Sequence, residues 1–174
     1  YLETGLLSRN LVYKNKEEFV YHIHKTKKFV EKLGFSFKIK LKPHSNFVTK
    51  NNLSLLRSKK IEICKDENFL NELKQCCAII TEPSTAAILP AALGLPLFLA
   101  NFGPLKKQKY GKILTTYPKK IYLNSLSGLT KIKNIKNTTK INNIFRKWSK
   151  QNLGPFPSDE MPKRFLNAIK TLIK

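Results

Sequence analysis

Acidic residues are scarce in this chain: 11 Asp and Glu stand against 33 Lys and Arg in 174 residues, for a formal net charge of +22. Glycine is thin as well, at 7 residues. None of the glycines forms the G-x-G-x-x-G fingerprint of a dinucleotide fold, and Gly94 and Gly103 are not followed by the Gly-Lys-Ser/Thr of a P-loop. The three cysteines, Cys64, Cys76 and Cys77, are odd in number and lack a C-x-x-C spacing. That argues against a disulfide framework or a zinc site and suits packing in a reducing cytoplasm. No uncharged apolar run reaches bilayer length, because residues 93–100 make only a strand-sized stretch, followed by Lys106 and Lys107. No signal-peptide pattern of basic, apolar and small-residue regions is visible.

The excess charge is almost all lysine, dispersed over every predicted element rather than gathered in a stripe. Such a surface attracts nucleic acid, anionic lipid or phosphorylated ligands. Nucleic acid is disfavoured, because no zinc-finger spacing, RNP-like aromatic motif or Gly-x-x-Gly clamp accompanies the charge. An anionic membrane surface suits it better. A lysine- and asparagine-heavy coding bias explains the charge equally well.

What is present is an ordered alternation. Phe19, Val20, Ile23, Phe29, Val30 and Leu33 recur at helical spacing after Lys16, with Gly34 as the stop. Residues 35–41 alternate as a strand, a short helix is expected over 51–57, and a second strand over 61–64. A helix capped by Asp66 runs to about Cys76, with Phe69, Leu70 and Leu73 facing inward. Strands at 78–81, 97–100 and 120–123 follow, the last at an edge, with a helix from Ser84 between the first two and a basic loop at 106–116. Pro90 confines the Ser84 helix to a short form or kinks it. Helical segments at 140–150, carrying Ile144 and Trp148, and at 162–173 end the chain. Strands alternating with helices predict an α/β fold, a Rossmann-like parallel sheet with helices on both faces. The division expected is a linker or tail of an upstream domain over 1–15, the nucleotide-binding domain over 16–125, and packing helices over 126–174.

Chemistry concentrates at two turns. In Glu82-Pro83-Ser84-Thr85-Ala86, Ser84 can cap the helix while Pro83 fixes the approach, which leaves the Thr85 and Ala86 amides for a phosphate or, equally, for nothing but capping. In Lys42-Pro43-His44, the imidazole and ammonium lie at the carboxyl end of a strand on the same predicted sheet edge. His44 can donate to a phosphate oxygen, with Lys42 adding charge. His22 and His24 lie within a helix on different faces and read as surface or boundary residues.

The order helix, 40–44, Ile61-Glu62-Ile63, helix, 78–86, then Leu93-Gly94-Leu95-Pro96 resembles the C-terminal, donor-binding half of GT-B glycosyltransferases. The bacterial surface-polysaccharide enzymes, including CDP-glycerol glycerophosphotransferases and sialyl- or Kdo-transferase-like groups, are the nearest in flavour. The resemblance covers about residues 16–100. It implies that Ser84 and Thr85 hold donor phosphate and that His44 stabilises the leaving nucleotide. It also implies a nucleotide sugar or CDP-activated donor as substrate, with no metal and no resident cofactor, and acceptor chemistry from a separate N-terminal half. A fragment of this kind is expected to be inactive alone. Its expected place is the cytoplasm, with peripheral attachment to the inner membrane as an alternative. Where many members carry a ribose-binding glutamate one turn past the Ser-Thr pair, this chain has Leu89, which leaves the ribose to Glu82 or to backbone groups. Two alternatives stand beside the transferase. One is a sugar-nucleotide epimerase of the same architecture, which needs cleft carboxylates; the other is a non-enzymatic basic domain for nucleic acid or anionic membrane.

Overall fold

The computed structural model describes residues 1–3, 12–42, 50–106, 108–134 and 143–153. Helix α1 (Lys16–Lys32) opens where Asn15 Oδ1 accepts the Glu18 amide, and the Glu18 carboxylate returns to the Lys14 amide. The first bond satisfies a donor that the opening turn leaves over, and the second fastens the chain just ahead of the cap. Gly34, with φ of 90°, turns the chain out of the helix in the left-handed region that glycine adopts most readily.

Beyond it the elements run β1 (Lys38–Ile39), α2 (Lys50–Ser58), β2 (Glu62–Ile63), α3 (Phe69–Gln75), β3 (Ile79–Thr81), α4 (Ile88–Ala92), β4 (Leu97–Ala100), α5 (Lys112–Thr115), β5 (Lys120–Leu123) and α6 (Asn143–Leu153). Short 3₁₀ turns precede α3 and α4, and a longer one, Leu126–Asn134, follows β5. The expected α/β class with helices on both faces of parallel strands is what the structure has.

Strands β1 and β2 pair in parallel, as do β3, β4 and β5. Leu2 joins the two sets. It bridges Lys40 on one side and Thr81 on the other, both in parallel, through Leu2 N to Ile80 O at 2.8 Å, Glu82 N to Leu2 O at 3.2 Å and Glu3 N to Lys40 O at 3.0 Å. Of the stretch expected to be a linker, residues 1–3 thus lie inside the sheet. The order across it is β2, β1, residues 1–3, β3, β4, β5. Numbered along the chain this is 3-2-1-4-5-6, the doubly wound order whose direction of winding reverses between the first and fourth strands.

The core is split by the sheet, and the strands show why. Ile80, Phe98 and Ala100 face one side with Phe19, Ile23 and Val30 of α1, Leu56 of α2, and Leu129. Ile79, Leu97 and Leu99 face the other with Leu73 of α3, Leu89 and Ala91 of α4, Leu114 of α5, and Phe145 and Trp148 of α6. Consecutive residues point to opposite faces, so a strand covered on both sides must be apolar throughout. All four residues of β4 are buried.

Three further expectations change. The basic loop at 106–116 contains α5, one helical turn that buries Leu114. A 3₁₀ turn, Asp66–Asn68, stands where the first turn of α3 was expected, and the helix begins at Phe69. In α6 the inward pair is Phe145 and Trp148, while Ile144 is 66% exposed. An i, i+3 pair matches one helix face as well as an i, i+4 pair does, and only the docking on Tyr117 decides between them. The segment expected to form the last helix, 162–173, lies outside the described residues.

Candidate functional site

The carboxyl ends of the strands form one edge of the sheet, and the reversal point lies between Glu3 and Glu82. Ser84 follows directly. Its backbone is extended, and its Oγ accepts the Ala86 amide at 3.0 Å to start the Thr85–Ala87 turn that leads into α4. The Ala86 donor expected to face a ligand is therefore used by the cap. Thr85 and Ala86 are exposed, Pro83 and Ser84 half-buried. The Thr85 amide, as the first in the turn, has no carbonyl behind it within the helix. Pro90 is buried within α4, which spans only five residues, in line with the short form expected.

Glu82 is different from what its position suggested. It is completely buried, and its Oε1 accepts the hydroxyls of Tyr13 at 2.8 Å and Tyr1 at 3.0 Å. A carboxylate removed from water persists only when hydrogen-bonded in this way. It ties the first strand and the approach to α1 onto the end of β3, and it is not presented to a ligand. Burial, then the Glu82 charge, push the Tyr13 phenol well above its ordinary range, so it stays a donor. The Tyr110 hydroxyl lies 2.7 Å from the Thr81 carbonyl and 2.8 Å from the Ala100 carbonyl, and its one proton bridges the ends of β3 and β4.

Lys42 is exposed at the carboxyl end of β1, and its amide donates to the Glu3 carboxylate at 3.0 Å. Glu3 is itself buried. Lys42 and Ser84 thus sit on the same sheet edge with one strand between them, about 10 Å apart at the usual strand spacing. His44, and Pro43 before it, lie outside the described residues.

No family model, curated protein or solved structure matches this chain. The reading of the edge therefore rests on its geometry. Among the described residues no group of three or more His, Cys, Asp or Glu is arranged to hold a metal ion. Among them, too, no helix is long and apolar enough to cross a membrane.

The sequence reading missed the framework under the turn. Tyr1, Tyr13 and Glu3 carried no signal, because their partners are 21 to 81 residues away and a tyrosine reads the same whether its hydroxyl is solvated or spent on a buried carboxylate. His22 was expected near the surface; it is 6% exposed, stacked on Phe102 at 5.0 Å and 3.5 Å from the Tyr1 hydroxyl. Burial pulls its imidazole down to about 4. Helical spacing separates His22 from His24 correctly, but says nothing of the loop after β4 that comes to cover one of them.

Proposed function

We propose that this chain is the donor-binding half of a two-domain transferase that uses a nucleotide-activated sugar or glycerol phosphate. One observation carries the reading: the Ser84-capped helix start stands on the strand next to the reversal of the doubly wound sheet, on its carboxyl edge. Ligands in open α/β sheets bind outside that edge at that point. A diphosphate there meets the Thr85 amide, the hydroxyls of Ser84 and Thr85, and small residues that let it approach the backbone. Lys42 supplies positive charge from across the first strand, and His44 follows it by two residues. Charge developing on a departing nucleotide phosphate is stabilised by such groups without metal.

The epimerase alternative needs a carboxylate facing the cleft. Glu3 and Glu82, on the two central strands, are both buried and engaged. A membrane role for the lysines is compatible with the transferase reading, since an acceptor carried on an anionic surface would bring the two together.

Calorimetric titration with CMP, CDP, UDP and GDP tests the proposal. At least one is expected to bind with a dissociation constant on the order of a millimolar or tighter. Ser84→Asp keeps a helix-capping oxygen but sets a negative charge against the phosphate, so it should abolish binding while the fold survives. If no nucleotide binds the folded chain, or if Ser84→Asp binds as well as the parent, the reading is wrong.

A further inference from the structure

A cavity opens on the same carboxyl edge, beyond β4 and β5 rather than at the reversal point. It measures about 490 Å³ and lies between α1 and the turns that follow those strands. Phe102 and His22, stacked on each other, form its buried wall. Gly103 stands at its mouth with φ of 55°, and a Cβ there would come within 3.4 Å of His22 Nδ1. That contact is an ordinary one, and it is the backbone conformation that favours glycine at this position. On the solvent side Tyr21 lines the cavity with 65% of its surface exposed. Glu18 and Lys25 on α1, with Asn124 and Ser125 after β5, supply the polar lining.

We infer that this cavity is a binding site for a neutral pyranose ring. The chemistry of the lining selects that class. A pyranose presents a face of C–H bonds, which packs on the electron-rich face of an aromatic ring, and a rim of hydroxyls that both donate and accept. Tyr21 offers the ring face that Lys25 leaves open, the Lys25 ammonium standing over the ring 5.8 Å from its centroid; Glu18, Asn124 and Ser125 offer both kinds of partner beyond the bonds they make with Lys14, Asn101 and Ser127. One charge of each sign, Glu18 and Lys25, balances the lining and selects neither anion nor cation. A flat base has no open sandwich to enter, because His22 and Phe102 already occupy each other's faces at an interplanar angle of 26°. The volume suits one ring with accompanying water. His22, held neutral by its burial, adds no charge to the wall. The site is separate from the Ser84 turn and does not depend on a nucleotide binding there.

The test is an amide chemical-shift titration of the isotope-labelled 174-residue chain with the methyl glycosides of glucose, galactose, mannose and N-acetylglucosamine. At least one should produce saturable shifts at Tyr21, Gly103 and Ser125, with a dissociation constant on the order of a millimolar. Tyr21→Ala, at an exposed position that the fold does not need, should weaken that binding about tenfold. The assignment is overturned if no glycoside gives saturable shifts, if Tyr21→Ala leaves the affinity unchanged, or if the shifts fall at Thr85 and Ala86 instead. Nucleotide binding at Ser84 is read from separate amides, so either result can stand without the other.

Discussion

At the scale of single residues, the buried polar groups around Glu82 set the strongest constraints. Tyr13 is 1% exposed and gives its hydroxyl to a fully buried carboxylate. Tyr13→Phe keeps the ring, which stands edge-on to Phe19 at 5.1 Å, and removes only the donor. The loss expected is about 2 kcal/mol in urea unfolding, the usual worth of a hydrogen bond to a charged group. His22 gives a pH signature whose sign follows from its lowered affinity for protons. Near neutrality neither the folded nor the unfolded chain protonates it. Between its ordinary value of 6.5 and about 4, the unfolded chain takes a proton that the folded one refuses, so stability falls as the pH falls. The loss from His22 alone is about 2 kcal/mol by about pH 5 and about 3 kcal/mol at completion. Unfolding midpoints at neutral and mildly acid pH check it: His22→Phe should be less sensitive to acid than the parent by that amount, and equal slopes would refute the assignment.

At the scale of elements, α6 is the clearest case of an ambiguity that packing resolves. Trp148 meets Tyr117 at 4.7 Å with its ring turned 64°, and Phe145 meets the same tyrosine edge-on at 6.3 Å. Phe145→Ala should cost about 3 to 5 kcal/mol, whereas the neighbouring Ile144→Ala should stay within about 0.5 kcal/mol. The single tryptophan of the chain makes its own fluorescence the readout of α6 docking. The Ser84 turn is the other element at issue. Loss of its cap in Ser84→Ala is expected to cost about 1 kcal/mol, while Ser84→Gly costs only a few tenths. Strands and caps of this kind were legible because they rest on local rules: alternation, a hydroxyl before a helix, glycine after one. The registers of β3 and β4 were legible only as apolar runs, since burial on both faces erases the alternation that would show which side each residue takes.

For the molecule as a whole, +22 charges on one chain repel one another, and salt should relieve part of that cost. Raising the ionic strength from about 0.01 M to about 0.15 M shortens the screening length from about 30 Å to about 8 Å. The melting temperature is expected to rise over that interval, and a fall would mean that attractive ion pairs dominate. The four ion pairs among the described residues are mostly exposed and of small individual worth, Lys38 with Glu72 at 2.8 Å being the best placed.

What the sequence determined alone was the alternation of strand and helix, the parallel α/β class and the hydroxyl-bearing turn at Ser84, because each follows from the spacing of neighbouring residues. The tertiary structure decided the rest. It placed residues 1–3 between β1 and β3, which creates the reversal point that gives the turn its meaning. It spent the Glu82 carboxylate on two tyrosines from the amino-terminal segment, turning an expected ligand group into a brace for the strands. It buried His22 beneath Phe102 and opened the cavity beside it. These outcomes depend on contacts between residues dozens of positions apart, and local periodicity carries no record of them.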